Sequence, residues 1–182
     1  MVDLIARVRL ETGAGTAAFT VDAVSAFTDD HLQDTLDRHV RTFRQVPVEW
    51  EPDWTGGGST SWLEARIPYR HLEAGTAFVL EDSLGANVGT ASFTLDAQEG
   101  RVTFGADQGG TVYYATGRAY DVWGAIAEVL ETWAAAEARS FDFSSDASKF
   151  SRSQKAAGLR EQARLARQRS HAVTVRLSRR DG

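Results

Sequence analysis

Apolar positions along this chain change period twice. Val2, Leu4, Ile5 and Val8 fall at helical spacing, which predicts a short amphipathic helix over 2–11. Gly13 and Gly15 in ETGAGTAAF end it. In FTDDHLQDTLDRHV, Leu32, Leu36 and Val40 form one stripe. Thr28 is placed to cap that helix, with Asp29 and Asp30 in the first turn, where the helix dipole favours acid. Phe27 and Leu32 occupy the two positions of a hydrophobic staple. A helix over 29–42 follows.

The middle of the chain reads differently. VPVEWEP, STSWLEARIPY, TAFVLED, VGTASFTLD, GRVTFGA and TVYYATG are short, rich in Val, Thr, Phe and Tyr, and bounded by Gly, Asp and Asn. These are strand and turn signals. SFTLD and RVTFGA alternate apolar and polar residues, and AQEG between them reads as a hairpin turn. All three prolines, Pro47, Pro52 and Pro68, lie in this region. Residues 43–117 therefore read as a β-rich unit.

Helical spacing returns in RAYDVWGAIAEVLETWAAAEA, where Trp123, Ile126, Leu130 and Trp133 step by three, four and three. The stripe predicts a core-facing helix over 119–138. A second helix over 151–168, capped by Ser151 or Ser153, carries a narrow stripe of Ala156, Leu159, Ala163 and Ala166, with Arg160, Arg164 and Arg167 beside it. In the tail, Val173, Val175 and Leu177 alternate with Thr174, Arg176 and Ser178, which predicts an extended segment. The fold class is α+β: a small bundle of about four helices, a β-rich insertion between the second and third, and an extended C-terminal tail. The helical core is 1–42 with 118–170, the insertion is 43–117 and the arm is 171–182.

Charge sharpens this picture. Residues 149–182 hold ten Lys and Arg against Glu161 and Asp181, a net of +8; residues 1–148 hold ten against 23 acids, a net of −13. Such a dipolar chain suits a basic arm that meets nucleic acid, another acidic partner or the acidic body of another copy, although a solvated helix face with a charged tail has the same composition. There is no cysteine, which excludes disulfides and thiol chemistry and fits a reducing compartment. No apolar run approaches the roughly 20 residues that span a bilayer, and MVDLIARVRL does not read as a secretory signal.

Little else points to chemistry. His31, His39, His71 and His171 form no helical ligand pair and no HExxH, so they read as surface or partly buried polar residues. GAGTAA follows no strand and reads as a turn; no phosphate-binding loop and no nucleophile elbow occurs. No catalytic, cofactor or metal residue is assigned, and an enzyme is not expected. Trp50, Trp54 and Trp62 in the β unit are either contact anchors or packing for a small sheet.

Tyr120-Asp121 opening an Ala-rich helix, Phe141-Asp142-Phe143, Ser145-Asp146 and Arg152-Ser153-Gln154-Lys155 carry a resemblance. In these, and in FTDDHLQDTLDRHV, the chain resembles the head–tail adaptor (connector) proteins of long-tailed bacteriophages, prophages and gene-transfer agents. It has Ala147 where the family often has Gly. The resemblance implies a ring, usually of about twelve subunits, beneath the portal protein and above a stopper or tail-completion protein. Genome DNA would pass through its lumen without specific binding. The implied location is the virion neck, after a host-cytoplasmic stage, with no membrane. It further implies that Phe141 and Phe143 anchor the turn between the last two helices. Val173, Val175, Arg176, Leu177, Arg179 and Arg180 are then candidates for a portal-binding arm by strand addition. Arg160, Arg164 and Arg167 are candidates for a contact between subunits. The alternative is a nucleic-acid-binding protein that uses the basic helix, with strongly salt-dependent affinity.

Overall fold

The computed structural model describes residues 1–13, 19–21, 24–55, 59–139, 143–145, 148–150 and 152–170. It is a mixed α+β protein. The chain divides into two compact units, Met1–Ala6 with Leu36–Asp121, and Arg7–Thr35 with Val122–Gly182. No helix among the described residues is long and apolar enough to cross a membrane.

Helix α1 is Val2–Thr12, hairpin strands β1 (Phe19–Val21) and β2 (Val24–Ala26) follow, and helix α2 is Asp29–Arg38. Leu4, Ile5 and Val8 are buried along α1, whereas Val2 stands in solvent outside the stripe. Thr28 caps α2, its Oγ1 accepting the His31 amide at 3.3 Å. Phe27 and Leu32 are both buried, as a staple requires. Arg9 fastens this corner: its guanidinium donates to Asp29 Oδ1 at 2.6 Å and to the Phe27 carbonyl at 3.0 Å. Phe27 sits in the left-handed region with φ of 59°.

The expected end of α2 is wrong. Val40 is not the last turn of a helix but the first residue of strand β3 (Val40–Pro47), and it is 37% exposed. Its place in the stripe with Leu32 and Leu36 is a coincidence of spacing. Long-range pairing overrides it, since Val40 registers against Tyr120 of strand β9 (Tyr113–Tyr120). That strand also takes the residues expected to begin the third helix. The first six residues, 36–42 and 118–121 thus belong with the sheets.

The seven strands from β3 to β9 do not form one sheet. A three-stranded antiparallel sheet has the order β3, β9, β6 (Val79–Asp82). A four-stranded antiparallel sheet has the order β4 (Glu49–Thr55), β5 (Ser59–Arg66), β8 (Arg101–Phe104), β7 (Phe93–Asp96). The β7–β8 hairpin forms where alternation placed it, with Phe93 opposite Phe104. Asp96 shapes its turn by accepting the Gln98 and Glu99 amides. One apolar core draws on both sheets, with Phe43, Leu80 and Ala115 from the first and Ala65, Val102 and Phe104 from the second. Phe43 stacks on Tyr69, centroids 4.6 Å apart. Gly117 lies opposite Phe43, and a Cβ there would come within 3.1 Å of the Phe43 ring, so the position favours glycine.

At the end of β9, the Tyr120 hydroxyl donates to Glu73 Oε2 at 3.1 Å. Burial, then the acceptor and charge of Glu73, push the phenol up to about 12. Asp121 follows, immediately before helix α3 (Val122–Ala138), where a carboxylate suits the exposed N–H groups of the first turn.

Between α3 and helix α4 (Arg152–Ser170) lies a second short hairpin, β10 (Phe143–Ser145) with β11 (Ser148–Phe150). Phe143 is thus in a strand, not in a bare turn; Phe141 lies outside the described residues. The two short hairpins, with the strand takeover at 40 and 118–120, make the architecture more mixed than four helices with one insertion. The arm 171–182 lies outside the described residues.

Candidate functional site

The candidate surface is the basic helix α4, and its position is set by α3. In α4, Ala156, Leu159, Ala163 and Ala166 are buried, at a spacing that gives a narrow seam. In α3, Ile126 and Leu130 are buried along with Val122, Ala125, Ala127, Val129 and Ala134. The short alanine side chains let the two helices pack along their lengths. They run antiparallel, because the end of α3 meets the start of α4 and the start of α3 meets the end of α4.

Trp123 and Trp133, expected in the core stripe, occupy the rim instead. Both are half-buried. Indole is large and its N–H needs a polar partner, so a rim site suits it better than an alanine seam. Trp133 Nε1 donates to Glu137 Oε1 at 3.1 Å, and its ring lies 6.3 Å from that of Phe27. Lys155 Nζ sits 4.9 Å from the Trp133 centroid and donates to Glu137 Oε1 at 2.7 Å. At the other end, the Arg169 guanidinium lies 4.5 Å from the Trp123 centroid. Two tryptophans of α3 therefore each receive a cation of α4. Sequence reasoning missed Lys155, Arg169 and Glu137; the signal was two Trp on one helix opposite a basic one.

The three arginines named above differ in their surroundings. Arg167 grips Glu131 of α3 with two bonds, Nε to Oε1 at 2.7 Å and Nη2 to Oε2 at 2.5 Å. Arg164 forms the same fork with Glu161 on its own helix, at 2.9 and 2.6 Å. Arg160 is exposed and makes no ion pair among the described residues. Arg167 thus belongs to the α3–α4 joint, whereas Arg160 and Arg164 face outward.

The hydrogen bond from Arg167 holds the Glu131 carboxyl below the usual carboxylate range. A depressed carboxylate stabilises the fold above its unfolded pKa, and that contribution is lost as pH falls through the folded value. Glu131→Gln is expected to cost at most about 1 kcal/mol at neutral pH, because the pair is half-exposed. The difference from wild type should vanish in acid. Urea titrations at neutral and acidic pH check this; an equal cost at both would remove the ion pair as its cause.

In the sheet unit, Trp50 and Trp62 are half-buried. Trp50 donates from Nε1 to the Thr111 carbonyl at 2.8 Å and packs against Phe104, Tyr113 and Trp62. Trp54, near the end of β4, is 75% exposed. Of the histidines, His31 is exposed and His39 and His71 are half-buried; His171 lies outside the described residues. Among the described residues no group of three His, Asp or Glu is placed to hold a metal.

Comparison with protein-family models, with curated proteins and with solved structures finds no match to this chain.

Proposed function

We propose that this chain is a structural head–tail adaptor. It forms a ring beneath the portal of a DNA-filled head and joins it to a stopper or tail. The observation that carries this is the α3–α4 hairpin. A helix of six basic residues and one acid is clamped by its inner cations, Lys155, Arg167 and Arg169, and keeps Arg160 and Arg164 outward, on a chain whose first 148 residues are strongly acidic. Opposite charges on different faces suit a heterologous contact, the kind that closes a ring. The hairpin also contains most of the residues that resemble the adaptor family. In this function the helices are the adaptor core, and the sheets between α2 and α3 are an insertion carried by it. The ring has about twelve copies, as the resemblance implies. The chain performs no chemistry.

The arm with Val173, Val175, Arg176, Leu177, Arg179 and Arg180 enters on its alternating sequence alone, as a strand added to the portal. Deleting 171–182 is expected to leave thermal unfolding nearly unchanged and to abolish co-sedimentation with portal-bearing heads. Normal co-sedimentation of the truncated chain would move the docking surface elsewhere. Loss of salt-dependent DNA binding, with no binding to heads by either chain, would favour the nucleic-acid alternative.

A further inference from the structure

We propose that the outer face of α4, through Arg160 and Arg164, docks on the open edge of β4 at Asp53 and Trp54 of a second copy of this chain. This deepens the adaptor function and rests on it for the need of a contact between unlike faces.

Three observations lead there. First, β4 ends its sheet, with no strand on its outer side among the described residues. An end strand leaves backbone groups unpaired, and covering by a helix is one of the ways proteins protect such an edge. Pro52 and the charges of β4 discourage a further strand, which favours a helix as the cover. Second, Trp54 is an exposed indole that touches no other ring among the described residues, beside Asp53, which is exposed and has no ion pair there. Glu51 of the same strand is already paired with Arg66 at 2.7 Å. Third, this chain already seats α4 by laying cations on tryptophans, Lys155 on Trp133 with Glu137 beside it and Arg169 on Trp123. Trp54 offers an indole for the same contact, without its cation.

The spacing fits. Consecutive strand residues point to opposite faces, so Asp53 and Trp54 flank the edge from two sides. Arg160 and Arg164 are one helical turn apart, about 6 Å, and can straddle it. Arg160 takes the Trp54 face, where a guanidinium stacks on the indole. Arg164 takes the Asp53 side. Its fork to Glu161 is more than half exposed and is easily exchanged for an intermolecular one. Complementary charge supplies the occupant: α4 is strongly basic and Met1–Ala6 with Leu36–Asp121 is acidic.

The absence of cysteine allows a direct test. Ser61, which registers against Asp53, and exposed Ala157, one turn before Arg160 and Glu161, are replaced as S61C and A157C in separate chains. The two are mixed at low salt and treated with a short bis-maleimide. A cross-linked dimer is expected, and its yield should fall about fivefold with Trp54→Ala or with Arg160→Glu. Arg164→Glu should lower it likewise, and exchanging the charges of that pair, Asp53→Arg with Arg164→Glu in every chain, should restore much of that loss. No dimer above that from A157C mixed with L84C, a variant on a different exposed turn, would overturn the proposal. So would a cross-link formed only within one chain that carries both cysteines. Docking to portal-bearing heads is read separately. A W54A chain that loses the cross-link yet enters particles normally removes this contact and leaves the adaptor function. A chain that cross-links yet never binds heads removes the adaptor function and leaves the contact.

Discussion

Leu130→Ala is expected to lower stability by about 2–5 kcal/mol, the range for truncating a large buried aliphatic side chain. Leu130 is among the most buried residues of α3. Its neighbours on the same side of the helix, Ala127 and Ala134, are too short to fill the space it would leave. Trp133→Ala is expected to cost less than a buried tryptophan would, because Trp133 sits on the rim. Part of that loss would come from its contacts with Lys155 and Glu137 rather than from a cavity. Denaturant titration checks both. A loss below about 1 kcal/mol for Leu130→Ala would take it out of the core.

Gly100→Ala should be as damaging, for a different reason. Gly100 closes the β7–β8 turn with φ of 70°, donating to the Asp96 carbonyl and accepting from the Ile67 amide, each at 2.8 Å. A Cβ there would run into the Tyr69 carbonyl, and backbone cannot step aside as a flexible side chain can. Left-handed strain and overpacking together are expected to cost about 2–5 kcal/mol. Gly85 is the control. It has φ of 79° but nothing near its missing Cβ, so Gly85→Ala should show the conformational part alone, about 1–2 kcal/mol. Equal losses at the two sites would show that the collision at Gly100 is relieved at little cost.

The elements legible in the sequence were those with local causes. Helix α3 was visible because Ile126 and Leu130 recur within a long alanine-rich run. The start of α2 was visible because Thr28, Asp29 and Asp30 make a helix entry without outside help. The β7–β8 hairpin was visible because both strands alternate around a short turn. What failed had causes distant in the chain. Val40 extends the helical stripe in sequence but pairs with Tyr120 in the sheet. The hairpins at 19–26 and 143–150 have three residues in each strand, too few to show a period of two.

The candidate site divides the same way. Arg160, Arg164 and Arg167 were legible as one basic face from their spacing. That Arg167 is taken by Glu131, 36 residues earlier, was not. The consequence is practical. Reversing all three charges would weaken the α3–α4 joint as well as any outer contact, so tests of assembly should change Arg160 and Arg164 and leave Arg167 in place. Trp54 stood among three tryptophans with two readings each. Only the packing of Trp50 and Trp62 separates it as the exposed one.

The adaptor function is tested most directly by electron microscopy of portal-bearing, DNA-filled heads incubated with the purified chain. It predicts new density at the portal vertex, a ring coaxial with the portal channel and built of repeated copies, absent when the chain is omitted. Heads whose portal vertices are unchanged at saturating protein, or protein found instead along released DNA, would contradict it.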